Sequence, residues 1–372
     1  MTHHGRATPA GTAAYAQRHA GHAADGYFRS TAAGLSVSSI GIGTYLGEPD
    51  AATDEAYRAA VERALALGCN HIDTAINYRH QRSERAIGQA LHAAIKRGDV
   101  AREEVVIATK GGIAPYDGAV PDDPRRWIYE EYIESGLAHP NEFAANYQHC
   151  LAPDFLDEMI DRSRRNLGVD TIDIYYLHNP ETQHISNTHD TFRRRMLDAF
   201  ETLEAAVNRQ HIAAYGVATW TGFRSPPDAP DYLSLTELVG LAFEVAGDEN
   251  HFRYIQLPYN LMMTEAFALV NQQVSDEFLS PMAAAESFGI TVTTSATLKQ
   301  GLLAGPFMAD LSPYFPEAQT HAQRAIQFAR STPGNTTALV GMSQVAHVEE
   351  NLALMPVALT GADVIRSLFA GE

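Results

Sequence analysis

The chain has 372 residues, of which 45% are hydrophobic and 19% charged, a composition that can bury a sizeable core and is unlike that of a disordered protein. Its net charge of −18 disfavours a nucleic-acid partner, because binding to a phosphate backbone depends on clustered Lys and Arg. The sequence shows no secretion signal and no apolar run long enough for a membrane helix, and it contains two cysteines. We therefore expect a cytoplasmic protein that acts on a small molecule, without a disulfide framework or a metal site.

The first part of the chain divides into an arm and a β-rich segment. Residues 1–26 are rich in Ala, Gly and His and have few large apolar side chains, which predicts a mobile N-terminal arm. Residues 27–44, YFRSTAAGLSVSSIGIGT, contain two short β-like runs separated by Ala-Ala-Gly and then a run that enters a glycine-containing turn. This pattern predicts a β-hairpin followed by the first strand of the main fold.

From there, strand-like runs alternate regularly with segments of helical period, which is typical of parallel β/α units. The strand-like runs are at Ser39, Cys69, Val105, Ile172, Ala213, Tyr254, Ile290 and Thr337. The helical segments that follow them are residues 53–67, 83–96, 153–167, 191–209, 233–245, 276–288, 320–330 and 345–354, with Thr53 and Ser83 as expected N-cap residues. This alternation predicts an α/β fold in which residues 27–372 form a single (β/α)8 TIM barrel.

The regular spacing breaks after the third strand, where residues 111–152 form a long insertion. A loop of this length inside a compact domain is usually functional or disordered. The segment is too aromatic for a disordered linker, since it contains Tyr116, Trp127, Tyr129, Tyr132, Phe143 and Tyr147. We interpret it as an ordered insertion beside the active site rather than a remote surface excursion, and both a substrate-pocket lining and a subunit interface remain open as its role.

Ionisable side chains follow three of the predicted strands. The stretch NHIDTAINY at residues 70–78 places Asp73 and Tyr78 directly after an apolar run. Two later runs end in the same way, VVIATK at Lys110 and IDIYYLH at His178. Because the C-terminal strand ends of such barrels carry the active site, we expect these four side chains to converge in one site.

Asp73, Tyr78, Lys110 and His178, in these contexts and this order, resemble the catalytic tetrad of the aldo-keto reductase family. Further segments resemble the family in order, and the resemblance covers roughly residues 27–355. These are GIGT at 41–44, SERAIGQAL at 83–91, YLHNP at 176–180, YGVATW at 215–220, IQLPYN at 255–260, QGLLAG at 300–305 and VGMSQVAHVEENL at 340–352. The resemblance implies an oxidoreductase that transfers a hydride between a nicotinamide cofactor and an aldehyde or ketone, in a barrel whose N-terminal end is closed by the hairpin.

The resemblance also implies a role for each member of the tetrad. Tyr78 donates the proton, and the nearby ammonium of Lys110 is expected to favour the ionised form of this phenol. Asp73 holds Lys110 by an ion pair. His178 orients the substrate oxygen, where negative charge develops.

The cofactor is expected to be NADP, with NAD possible. GIGTYLG does not have the spacing of a dinucleotide fingerprint, so a Rossmann fold is disfavoured. The resemblance instead places an extended cofactor across the barrel mouth. Its nicotinamide end is bordered by Gly43, Thr44, Asp73 and Gln256, its pyrophosphate by Leu298, Lys299 and Gln300, and its adenosine end by Gly341, Ser343, Gln344, His347, Glu350 and Asn351.

The sequence departs from the family pattern at several cofactor positions. Ala218-Thr219 stands where many relatives have Ser-Asn to hold the carboxamide, and Ser295 stands where they have a Tyr that stacks on the nicotinamide. Neither Lys nor Arg occurs between Arg330 and Arg366, so a basic clasp for the extra phosphate of NADP is missing. Discrimination against NAD should therefore be weaker than a guanidinium would give.

Two other classes of function remain as alternatives. One is a cofactor-binding regulatory subunit of reductase fold with little turnover, against which the intact tetrad argues. The other is a metal-dependent hydrolase or isomerase with His71, Asp73 and His178 as ligands, which lacks a further His or carboxylate at a matching strand end. The sequence specifies neither the substrate, nor the direction of the reaction, nor the oligomeric state.

Overall fold

The computed structural model describes residues 2–146, 148–305 and 310–369. Its centre is a closed barrel of eight parallel strands, β1 to β8, which follow one another around the barrel in chain order, as predicted. The strands are β1 Ile40–Gly43, β2 His71–Asp73, β3 Val106–Gly111, β4 Ile172–His178, β5 Ile212–Ala218, β6 Phe252–Pro258, β7 Thr291–Ser295 and β8 Asn335–Gly341.

Each barrel strand is followed by a helix that packs outside the barrel. These helices are α1 Ala51–Ala66, α2 Arg82–Arg97, α3 Pro153–Leu167, α4 His189–Asn208, α5 Leu235–Ala246, α6 Pro281–Ser287, α7 His321–Ser331 and α8 Val345–Leu352. Further helical segments are Pro9–His19, Arg102–Glu104, Pro124–Ile128, Tyr129–Glu134, Pro140–Glu142, Glu181–Ser186, Gly247–Glu249, Glu265–Ala268, Leu302–Ala304 and Ala362–Ser367. Within the described ranges, no helix has the length and apolar character needed to cross a membrane.

Six of the eight helix starts differ from the predicted ones, and three of these differences have a clear local cause. The N-cap of α1 is Asp50, which accepts a 2.8 Å hydrogen bond from Thr53 N, rather than Thr53 itself. Helix α2 begins one residue before Ser83, after a turn in the left-handed region. The segment predicted as a helix from residue 276 instead begins with the strand Glu277–Leu279, which pairs with Gln272–Val274 in a hairpin, and α6 begins only after its N-cap Ser280.

The predicted N-terminal hairpin closes one end of the barrel. Its strands, Phe28–Ser30 and Ser36–Ser38, pair antiparallel. Leu35 and Val37 from this hairpin are buried in one cluster with inward-facing barrel residues such as Ile174. The hydroxyl of Tyr254 also donates to Thr31 Oγ1 at 3.2 Å, which ties the hairpin to β6. The hairpin leaves the opposite end, at the C-terminal ends of the strands, as the open mouth.

The N-terminal arm is packed on the barrel, contrary to the prediction of a mobile segment. Its helix Pro9–His19 buries Tyr15, whose hydroxyl donates to Leu65 O at 2.6 Å. Ala7 N donates to Asp173 Oδ1 at 2.6 Å. The small residues that suggested mobility in fact permit close packing, because a Cβ on Gly11 would lie 2.4 Å from the carbonyl oxygen of Glu103.

The insertion after β3 is held by pairing of its two ends. Ala114 N donates to Gln148 O at 2.9 Å, and Cys150 N donates to Gly112 O at 2.8 Å. Between these ends, aromatic rings contact one another edge to face in a series that reaches helix α3, with centroid distances of 5.5, 5.5 and 5.1 Å. The rings in this series are Tyr116, Trp127, Tyr132 and Phe155. Tyr147, predicted as part of the aromatic set, lies outside the described residues.

Candidate active site

A cavity of about 700 Å³ opens at the C-terminal ends of the barrel strands. Asp73 at the end of β2, Tyr78 in the turn that follows and His178 at the end of β4 all line it. Lys110, in β3, is buried behind this wall, where its ammonium contacts Asp73. The structure therefore brings the four predicted side chains together.

Asp73 and Lys110 form a buried ion pair. Lys110 Nζ donates to Asp73 Oδ1 at 2.5 Å and to the carbonyl oxygen of Thr74 at 2.7 Å. The second carboxylate oxygen of Asp73 accepts from Gln256 Nε2 at 2.8 Å. Burial raises the pKa of Asp73 and lowers the pKa of Lys110, and their mutual attraction opposes both shifts. Both carboxylate oxygens are thus occupied, which fixes the orientation of Asp73.

The pKa of the Tyr78 phenol differs from the value expected from the sequence. Burial raises its pKa well above the ordinary value, and the negative charge of Asp73 raises it further. The ammonium of Lys110 lies over the ring face, 5.0 Å from the ring centroid, and its charge is paired with Asp73. Burial and Asp73 therefore outweigh the effect that the sequence predicted from Lys110, and the phenol is neutral near pH 7.

His178 completes the reactive wall of the cavity. Its imidazole meets the ring of Tyr78 edge to face, with centroids 5.9 Å apart. Burial lowers its pKa well below the ordinary value, and the positive charge of Lys110 lowers it further. A neutral imidazole has one N–H donor, so near pH 7 His178 can donate one hydrogen bond.

Most of the residues predicted to border a cofactor line this cavity. They are Gly43, Thr44, Asp73, Thr219, Gln256, Leu298, Gln300, Gly341, Ser343, His347, Glu350 and Asn351. Lys299 and Gln344 are not among the lining residues. Lys299 Nζ instead lies 3.8 Å from Met262 Sδ, and Gln344 is the N-cap of α8. Ser295 and Ala218, the positions that depart from the family pattern, also line the cavity.

The cavity wall offers hydrogen-bonding atoms that the protein itself does not use. Within the described ranges, Thr219 Oγ1, Thr297 Oγ1 and Asn351 Oδ1 are buried without a hydrogen-bond partner. Buried polar atoms are rarely left unpaired, so these atoms suit a polar ligand. The described lining residues include no Lys or Arg. The wall can therefore hold a polar ligand through hydrogen bonds to side chains.

Several residues that line the cavity were not predicted from the sequence. They are Tyr45, Leu46, Asn77, Ile113, Asn179, Trp220, Ala296, Thr297, Gly301, Ala304, Ala322 and Leu339. Asn179, Trp220 and Ala296 follow strand ends directly or by one residue, and that position is the signal that could have identified them. Ile113 comes from the insertion, whereas Tyr116 and Trp127 pack against other aromatic rings of the insertion.

The residues of the metal-dependent alternative do not form a ligand set. Nδ1 of His71 lies 3.3 Å from Thr337 Oγ1, and the carboxylate of Asp73 is occupied by Lys110 and Gln256. In the part of the chain that the structure describes, no three His, Cys, Asp or Glu side chains are placed to hold a metal ion together. The donor geometry gives this alternative no support.

Comparison with curated proteins finds two sugar dehydrogenases among the relatives. D-threo-aldose 1-dehydrogenase of a Pseudomonas species is 28% identical over 196 residues, which are 51% of this chain and 52% of that protein. L-galactose dehydrogenase of Arabidopsis thaliana is 24% identical over 342 residues, 86% of this chain and 85% of that protein. The match to the first relative thus spans about half of its length.

Solved structures show the same fold at low sequence identity. An aldo/keto reductase from Klebsiella pneumoniae, in complex with NADP and acetate, has a TM-score of 0.61 at 18% identity, over 92% of this chain and 94% of that one. The holo form of an aldo-keto reductase from Bacillus halodurans also has a TM-score of 0.61 at 18% identity, over 92% and 95%. A sequence model of the aldo/keto reductase family matches residues 39–322, which contain all four side chains of the site, and the chain belongs to this family.

Proposed function

We propose that this protein interconverts an aldehyde or ketone with the corresponding alcohol, with NADP as the hydride carrier and Tyr78 as the proton donor. The observation that carries the proposal is the buried pair of Asp73 and Lys110, 2.5 Å apart, behind a cavity wall formed by Tyr78 and His178. The carrier is inferred from the NADP complex of the Klebsiella relative, and NAD is the alternative. The buried free thiols of Cys69 and Cys150 fit a cytoplasmic location.

A nicotinamide cofactor supplies the hydride, which none of the twenty side chains can donate. Gln256, Thr219 and Thr44 would border its nicotinamide end, and Ser343, His347 and Asn351 its adenosine end. Of these, Gln256 is fixed by its 2.8 Å hydrogen bond to Asp73. Thr44 Oγ1 likewise donates to the carbonyl oxygen of Asp73 at 3.2 Å, so the wall at this end is tied to the catalytic pair.

Reduction of a carbonyl requires a proton for the oxygen as negative charge develops on it. Tyr78 holds that proton, because its raised pKa keeps the phenol neutral near pH 7. His178 donates its single N–H to the same oxygen and orients it. After the proton has moved, the ammonium of Lys110 over the Tyr78 ring stabilises the phenolate that remains, and Asp73 keeps the ammonium in place.

The test is turnover by the purified protein with NADPH and, separately, with NADH. The substrates should include simple aldehydes, ketones and the aldoses suggested by the two sugar-dehydrogenase relatives, in both directions. The proposal predicts cofactor consumption that depends on a carbonyl substrate. Tight cofactor binding without turnover on any substrate would favour the second candidate, a cofactor-binding regulatory subunit, and would contradict the proposal.

A further inference from the structure

Among the residues that the structure describes, none forms a hydrogen bond with the imidazole of His178. Its Nδ1 is buried and has no partner in the part of the chain that the structure describes. Its described ring contact is the edge-to-face packing against Tyr78. The orientation of the ring is therefore set by packing and by the direction of the Cα–Cβ bond of residue 178. A contact that fixes the backbone at residue 178 consequently also fixes the position of the imidazole.

The backbone at His178 is held on one side by a side chain from the insertion. Strand β4 pairs with β3 only as far as Gly111 opposite Leu177, one residue short of His178. Beyond that point, the carbonyl oxygen of His178 accepts a 2.7 Å hydrogen bond from His149 Nε2. His149 thus supplies a donor where the strand ladder has ended.

A chain of hydrogen bonds runs from Arg195 through Gln183 and His149 to the carbonyl oxygen of His178. The groups at its two ends determine the tautomer of His149. Arg195 can only donate, and its Nη1 contacts Gln183 Oε1. The amide nitrogen of Gln183 therefore faces His149 and donates to His149 Nδ1 at 3.1 Å. An Nδ1 that accepts leaves the proton on Nε2, which is the donor that the carbonyl oxygen of His178 needs.

His149 is also held neutral and in a tight space. Burial lowers its pKa to about 4, and its hydrogen bond to His178 O opposes this shift only in part. The close approach of His149 to the carbonyl oxygen of His178 depends on Gly112, whose φ is 122°. A Cβ on this glycine would lie 3.3 Å from both His149 Nε2 and the carbonyl oxygen of His178. His149 itself is not among the residues that line the cavity.

We propose that His149 is a positioning residue for His178, and that one function of the insertion of residues 111–152 is to supply it. The inference rests on the proposed function, because it matters for turnover only if His178 orients the substrate oxygen. His149 acts through the peptide of residue 178 and touches neither cavity nor substrate. Its loss removes no direct contact of Tyr78, Lys110 or Asp73 and is expected to displace the imidazole of His178.

Two substitutions at His149 separate the hydrogen bond to His178 from simple packing. His149→Gln retains an N–H near the position of Nε2, whereas His149→Asn places its amide near Nδ1 and loses the donor to His178. His149→Asn should lower kcat by about 10- to 100-fold, the cost of a small misplacement of a catalytic group. His149→Gln should restore most of that loss. Both variants should remain folded, and the dissociation constant of NADPH should be the same in both as in the wild type.

A double-mutant cycle with His178→Ala distinguishes positioning from a general structural effect. If His149 acts through His178, His149→Asn should lower kcat in the wild-type background and have almost no effect once His178 is replaced. If His149→Asn lowered kcat by the same factor in both backgrounds, the inference would be overturned. So would an unchanged kcat in His149→Asn.

A readout without turnover keeps the inference separate from the proposed function. If the wild-type protein reduces no substrate, the proposed function fails, but the ¹⁵N and ¹H signals of the His178 imidazole still report its orientation. These signals should shift or broaden in His149→Asn and remain close to wild type in His149→Gln. Signals that do not change in His149→Asn would show that His149 does not position His178.

Discussion

The ammonium of Lys110 donates a 2.5 Å hydrogen bond to the carboxylate of Asp73, and both side chains are almost wholly buried, with 1% and 5% of their surfaces exposed. Removing two charges from water costs free energy. In this pair the cost is offset by the mutual attraction of the charges and by hydrogen bonds from Lys110 to Thr74 O and from Gln256 to Asp73. The pair is therefore a structural element of the barrel as well as a part of the proposed site.

Replacing one partner of this pair should destabilise the protein strongly. Asp73→Asn leaves the buried ammonium of Lys110 without its counter-charge, and we expect a loss of about 3–5 kcal/mol of unfolding free energy in chemical denaturation. Glu130→Gln is the matched control, because Glu130 forms an exposed 2.7 Å ion pair with Arg126. That substitution should cost less than about 1 kcal/mol. Similar losses in both variants would contradict the assignment of Asp73 and Lys110 as a desolvated pair.

Tyr78→Phe should remove turnover and leave cofactor binding intact. The substitution deletes only the hydroxyl that donates the proton, so kcat should fall by about 100- to 10,000-fold. The dissociation constant of NADPH, measured by quenching of tryptophan fluorescence, should not change. Tyr45→Phe is the control, since Tyr45 lines the same cavity and packs 5.1 Å from the Tyr78 ring. If Tyr45→Phe lowered kcat as much as Tyr78→Phe, the proton-donor assignment would be wrong.

The pH dependence of the reaction follows from the shifted pKa values. Reduction needs Tyr78 as the protonated phenol. This form is lost only as the pH rises through the pKa of Tyr78 in the folded protein, and burial raises that pKa. His178 does not change charge near neutrality, because its pKa is lowered. We therefore expect kcat/KM for reduction to be flat between about pH 6 and 9. Alcohol oxidation needs the phenolate and should rise with pH over the same range.

A pH–rate profile in both directions tests this expectation. A fall in the reduction rate as pH rises from about 7 would show that the Tyr78 phenol ionises near neutrality. That outcome would favour the sequence-based expectation that Lys110 lowers the pKa of Tyr78, and it would contradict the electrostatics of this structure.

The sequence predicted the barrel and the convergence of its reactive groups because both depend on short-range patterns. Alternating strand and helix periods fix the order of the elements, and parallel strands bring Asp73, Lys110 and His178 to the same end of the barrel. The pattern does not predict the direction in which each side chain points. It places Lys110 near Tyr78, but only the structure shows its ammonium over the ring face and paired with Asp73.

Contacts between distant parts of the chain also escaped prediction. The helix Pro9–His19 has no strong apolar period, and its burial depends on the docking of Tyr15 against Leu65, 50 positions away. His149 and His178 are separated by 29 positions, and their hydrogen bond depends on where the insertion returns to the barrel. Neither relationship leaves a local signal in the sequence.

Cofactor discrimination should respond to a positive charge at His347. This residue lines the cavity, whose described walls carry the carboxylate of Glu350 and no Lys or Arg. His347→Arg should strengthen NADPH binding at pH 8 several-fold and leave NADH binding little changed, because a guanidinium forms charge-assisted hydrogen bonds with the extra phosphate. Gln344→Arg is the control, since Gln344 does not line the cavity. Equal effects on both cofactors would mean that His347 does not face the adenosine ribose.

The most direct test of the central claim is isotope transfer from the cofactor to a carbonyl substrate. The purified protein is mixed with an aldehyde and NADPH that carries deuterium at both C4 positions of the nicotinamide, and the alcohol is analysed by mass spectrometry and NMR. We expect one deuterium on the carbinol carbon of the product with the wild-type protein and almost no product with Tyr78→Phe. Cofactor binding without labelled alcohol, across the full set of aldehydes, ketones and aldoses, would contradict it.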